Sequence, residues 1–131
     1  MLPKEQKKSS AVETFGPVIY SYSRAQAIED GVLVDLTANF PNDTRLYKWP
    51  VACTSPVWDL IEKASLKIHG GPGPWVWDLC WMSVKAKTKE LSPSAHLFVC
   101  TIDRKTYSFK AVCGPGDHGE PVITIMLPDE D

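Results

Sequence analysis

Three apolar, β-branched and aromatic runs near the C-terminus constrain the fold more than anything else in this sequence. They lie at about residues 95–102, 106–113 and 121–127. Asp103-Arg104-Lys105 separates the first pair, and the loop Gly114-Pro115-Gly116-Asp117-His118-Gly119-Glu120 separates the second. Short runs of this composition bounded by turn residues read as consecutive antiparallel strands. The C-terminal third is therefore expected to form a three-strand meander.

The middle of the chain carries a different periodicity. Ser55-Pro56 is a helix start, and Val57, Leu60, Ile61, Ala64 and Ile68 recur on one face beyond it. His69-Gly70-Gly71-Pro72-Gly73-Pro74 closes that helix in a glycine-rich connector. The connector has no Lys-Ser/Thr after its glycines, so it is not a phosphate-binding loop. From Trp75 to about Leu91 the pattern predicts a second long helix, with Val76, Leu79, Cys80, Ser83 and Ala86 on one side and lysines at its C-terminal end. Earlier, Ser23 and Gln26 form a capping box for a short helix that Gly31 stops, and Val32–Leu36 reads as a strand buried on both faces. Residues 37–48 are a turn-rich excursion, and Trp49–Thr54 a short extended piece.

The expected fold is α+β: two long helices and one short helix packed on an antiparallel sheet with a C-terminal three-strand meander. A polar leader over residues 1–16 precedes one domain over 17–131. At 44% hydrophobic and 23% charged residues the composition is that of a globular protein. No apolar run approaches the ~20 residues of a membrane helix. The N-terminal residues lack a secretory pattern, so a cytoplasmic location is expected. Cys53, Cys80, Cys100 and Cys113 are widely spaced within apolar segments and read as buried small side chains rather than disulfide or zinc partners.

The sequence completes no catalytic motif. Its densest cluster of chemistry is the 114–120 loop, where Asp117, His118 and Glu120 offer metal-ligating or acid/base groups. The competing reading is a solvated hairpin turn built by glycine and proline. Tyr20, Tyr22 and Arg24, at a helix start, are candidates for holding an anion or a nucleotide base. Of the five tryptophans, Trp75 at the second helix's start is the surface candidate, with Trp77 and Trp81 assigned to the core. Lys85, Lys87, Lys89, Arg104, Lys105 and Lys110 against Glu90 and Asp103 make 85–110 a basic segment, whereas 111–131 holds five acids and no Lys or Arg.

The run Val18-Ile19-Tyr20-Ser21-Tyr22-Ser23-Arg24-Ala25-Gln26-Ala27, followed by Asp30-Gly31-Val32-Leu33-Val34-Asp35, resembles the opening of a family of small phage- and plasmid-borne proteins that carry a domain of unknown function. The middle segments Pro50-Val51-Ala52, Val57-Trp58, Trp77-Asp78 and Trp81-Met82 are similar to it as well. So is the ending, Cys113-Gly114-Pro115-Gly116-Asp117 through Gly119-Glu120-Pro121-Val122-Ile123-Thr124-Ile125. The likeness spans about residues 17–131, and 37–48 depart from it, with Asn39 and Pro41 where the family pattern continues as helix. It implies a bacterial mobile-element accessory protein and brings no catalytic residues. The leading expectation is thus a non-enzymatic protein, a counter-defence inhibitor being one form, that binds a protein of the host or the element and needs no cofactor or metal. Two alternatives stand beside it: a small metal- or nucleotide-dependent enzyme using Asp117, His118 and Glu120, and a nucleic-acid-binding module using the 85–110 basic segment.

Overall fold

The computed structural model describes residues 22–67 and 70–130. Four helices and six strands follow in the order α1 (Arg24–Glu29), β1 (Leu33–Asp35), α2 (Leu36–Asn39), β2 (Val51–Thr54), α3 (Ser55–Ser65), α4 (Gly73–Lys85), β3 (Lys87–Ser92), β4 (Ala95–Ile102), β5 (Lys105–Pro115) and β6 (Pro121–Met126). The strands form one sheet in the order β1-β2-β6-β5-β4-β3. Strands β3 to β6 make a continuous antiparallel meander. β2 pairs parallel with β6, with Val51 opposite Ile123 and Cys53 opposite Ile125, and β1 closes the other edge antiparallel.

This overturns the expected architecture of two long helices on an antiparallel sheet. The sheet is mixed, it has six strands, and the four helices are short. The predicted helix over 75–91 ends at Lys85, and its last third is β3. The buried stripe of α4 is Val76, Leu79, Cys80 and Ser83. One more helical turn would carry Lys87 and Glu90 onto that stripe, where their charges would lose water without a partner. Turning into a strand leaves all six β3 residues exposed while their backbone pairs with β4. Similarly, α3 stops at Ser65, and Leu66 is 83% exposed. The expected strand over 32–36 is confined to Leu33–Asp35, because the Asp35 carboxylate accepts the Ala38 amide proton and starts α2.

Alternation along the strands decides what faces the helices. Val51 and Cys53, Phe98, Cys100 and Ile102, Phe109 and Ala111, and Ile123 and Ile125 join Val57, Ile61, Ala64, Val76, Leu79 and Cys80 in one core. Phe98 and Phe109 stand opposite each other across β4 and β5 with ring centroids 5.5 Å apart. The intervening Thr124 points to the opposite face, over which the first turn of α1 is tied to β6. Val51–Thr54 are all buried, as a strand covered on both faces must be. Among the described residues, no helix is long and apolar enough to cross a membrane.

Candidate functional site

Two surfaces bring together residues with chemistry. The first is where α1 meets the loop between β5 and β6. The Ser23 hydroxyl accepts the Gln26 amide proton at 3.0 Å, as the capping pattern predicts, and Gly31 at φ +80° ends the helix. A second cap comes from far along the chain. The Asp117 carboxylate accepts the amide protons of Arg24 at 2.7 Å and Ala25 at 2.9 Å. These two bonds hold its carboxyl below the usual carboxylate range. The Arg24 guanidinium turns inward, donating to the Thr124 hydroxyl at 2.8 Å and the Ile123 carbonyl at 2.9 Å. Burial lowers its pKa, opposed by the nearby charges of Asp35, Asp117 and Glu120.

The loop is equally self-contained. The Gly116 amide donates to the Glu120 carbonyl at 2.6 Å, and the His118 amide to the Glu120 carboxylate at 2.9 Å. A Cβ on Gly116 would sit 2.6 Å from the Glu120 carboxyl carbon, so a larger residue there would displace the Glu120 side chain. The His118 side chain is exposed. The predicted trio therefore does not converge: Asp117 serves α1, Glu120 serves its own loop, and His118 faces water. Among the described residues, no three His, Cys, Asp or Glu side chains are placed to hold a metal ion.

A groove of about 960 Å³ does open beside this junction, lined in part by Tyr22, Arg24, Thr54, Asp117, Thr124 and Glu130. The Tyr22 hydroxyl donates to Asp30 at 2.5 Å, and Tyr20 lies outside the described residues. Thr54 occupies the N-cap of α3, but its hydroxyl donates to the Glu130 carboxylate at 2.8 Å instead of capping the helix. The polar groups lining this groove are thus largely spent on one another. Thr54 also corrects the expected start of α3, which made Ser55 the cap.

The second surface is the outer face of α4, where Trp81, expected in the core, is the exposed tryptophan and Trp75 is not. Trp75 is half-buried, and its indole N–H is enclosed without a hydrogen-bond partner. Trp81 is 40% exposed, and Val84 beside it 48%. Trp77 and Trp81, one turn apart, stack with centroids 5.9 Å apart and planes 22° from parallel. The Arg45 guanidinium lies 5.0 Å from the Trp77 centroid, and the Lys85 ammonium 5.1 Å from that of Trp81. A cation, two indoles and a cation thus line up along the helix. The turn-rich segment at 41–49 is held there by the Tyr47 hydroxyl, 2.5 Å from that of Ser83. It carries a similar pair, with Lys48 5.2 Å from the Trp49 centroid and Trp49 40% exposed. Among the described residues, none of these three cations stands in an ion pair.

The basic segment 85–110 does not form one patch. Lys110 donates to the Glu130 carbonyl and Lys87 lies 3.9 Å from Glu90. Lys105 lies over Tyr107, beyond the β4–β5 turn. The cysteines also divide. Cys53, Cys80 and Cys100 are buried, which pushes each thiol up to about 12, whereas Cys113 is exposed rather than buried as expected.

The family model that matches this chain spans residues 13–131, which is nearly its whole length. The chain belongs to DUF6573, a family of unknown function. The DUF6573 match begins four residues inside the segment read as a leader and contains both surfaces. No similar sequence among curated proteins, and no similar solved structure, accompanies it.

Proposed function

We propose that this DUF6573 protein acts by binding a macromolecule, not by catalysis, and that the outer face of α4 is the contact surface. One observation carries the reading: two stacked indoles, with Trp81 and Val84 open to solvent, are bracketed by cations without ion-pair partners. Exposed tryptophan and arginine are the side chains from which binding hot spots are built. Leaving them on a surface costs hydration free energy that a partner would recover. The two carboxylates of the 114–120 loop, Asp117 and Glu120, are instead committed to backbone amides, where they stabilise the fold. A mobile-element accessory role, such as inhibition of a host defence protein, is the setting that the sequence resemblance favours.

The test is affinity capture from a bacterial lysate with the full chain and with Trp81→Ala/Lys85→Glu. A protein or nucleic acid retained by the wild type and lost by the variant is the expected result. Recovery of neither protein nor nucleic acid above background, or of a partner that the variant keeps equally well, would overturn the reading.

A further inference from the structure

Three cations share one arrangement. Arg45 lies over Trp77, Lys85 over Trp81 and Lys48 over Trp49, each 5.0–5.2 Å from a ring centroid. Among the described residues none of the three meets a carboxylate. Each pair offers a flat indole and, against it, a positive charge without a carboxylate partner, although the Arg45 guanidinium also donates to the Asn42 carbonyl at 2.7 Å. Those are the two groups that a single nucleotide needs, a platform for the base and a countercharge for the phosphate. An acidic polypeptide would satisfy the cations but would present nothing planar to the indoles. A base pair inside a duplex has both faces stacked already, so only an unpaired base can use such a platform.

Resting on the assignment of the α4 face as a binding surface, we propose that its partner is a single-stranded nucleic acid. Bases would stack on the accessible indoles, Trp81 and Trp49 first, and Lys85, Lys48 and Arg45 would swing from the rings to the phosphates. The arrangement is repeated and reads the face of a base, which predicts tolerance of sequence. The protein's net charge is −2, so the attraction is local and short-ranged.

The test uses the purified full chain, its tryptophan fluorescence, and oligothymidylate as probe, with poly-L-glutamate as the acidic polypeptide control. Oligothymidylate should quench the fluorescence saturably. Three phosphate contacts predict that affinity falls roughly twentyfold between about 50 and 200 mM salt. Trp81→Ala should weaken binding about tenfold while Trp81→Phe keeps most of it, and Lys85→Glu should weaken it and flatten the salt dependence. Far-UV circular dichroism confirms that the variants fold, which the exposure of both positions favours. No quenching by oligothymidylate, or binding that all three variants leave unchanged, would overturn the inference. So would Trp81-dependent binding of poly-L-glutamate in its place. That last outcome leaves the α4 surface as a binding site and removes only the nucleic acid.

Discussion

The Asp117 carboxylate accepts the backbone amide proton of Ala25 at 2.9 Å, joining the last loop of the chain to the first described helix across 92 residues. The adjacent Arg24 amide donates to its other oxygen. A six-residue helix has little stability of its own, and a negative charge at its N-terminus offsets the exposed amides there. Asp117→Ala should therefore lower the melting temperature and increase hydrogen exchange in residues 24–29. The pH dependence has a fixed sign. The folded state holds this carboxyl below its ordinary value of about 3.9, so the unfolded state binds its proton more readily. The contribution is present in full above the ordinary value and is lost as pH falls through the lower folded one. Wild type and Asp117→Ala should thus differ at neutral pH and converge in strong acid, as thermal melts at several pH values would show.

Phe98 and Phe109 form the centre of the helix-facing core, both fully buried and paired across neighbouring strands. Truncating either removes most of a ring's buried area and leaves a cavity that flanking strands cannot close. Phe98→Ala or Phe109→Ala should each cost about 3–5 kcal/mol. Because the rings touch, the double variant should cost less than the sum. Urea unfolding of the three variants measures this, and strict additivity would contradict the contact.

How far the sequence shows this fold depends on whether a segment's partner is near or distant. The meander strands alternate and are bounded by turn residues, so their positions are readable within a few residues. Even the β4–β5 turn is a local matter: Asp103 and Arg104, at φ 53° and 69°, make a two-residue connection, one shorter than the residues had indicated. β3 is different. Lys87–Ser92 has no apolar alternation, and it is a strand because β4 offers backbone partners and α4 has run out of apolar positions. The candidate sites were legible as residue types and not as arrangements. Asp117 looks like a ligand until the amides of Arg24 and Ala25 are beside it. Trp81 looks like core until α4 is seen to bury Val76, Leu79, Cys80 and Ser83 instead. Arg45 over Trp77 joins residues 32 apart, and neither position announces the other.

The buried Ser83 hydroxyl joins two segments. It donates to the Cys80 carbonyl at 2.6 Å and lies 2.5 Å from the Tyr47 hydroxyl, whose pKa burial raises. The Ser83 carbonyl meets Nε2 of His96 at 2.6 Å. Tyr47→Phe keeps the ring and removes one hydrogen bond, so it should cost about 0.5–1.5 kcal/mol. Ser83→Ala should cost a similar amount, and the pair should show coupling in a double-mutant cycle of chemical unfolding. Tyr47→Phe should also loosen the 41–49 segment, and with it the seat of Arg45 over Trp77. A blue shift or intensity change in tryptophan emission at constant stability would not suffice; faster amide exchange over 41–49 is the diagnostic result.

The four thiols should separate by reactivity. Cys53, Cys80 and Cys100 are enclosed by the core, and with thiols pushed up to about 12 almost none is thiolate at neutral pH. Cys113 is exposed on β5. Brief treatment of the native protein with iodoacetamide should therefore modify one cysteine per chain, at Cys113, and denaturant should expose the other three. Peptide mass spectrometry identifies the modified positions. Early labelling of Cys53 or Cys100 would mean that the mixed sheet opens on the labelling timescale, since both lie on strands whose helix-facing side chains are enclosed by α3 and α4. Because the rate at those positions is limited by opening, its dependence on denaturant would then report which part of the sheet separates first.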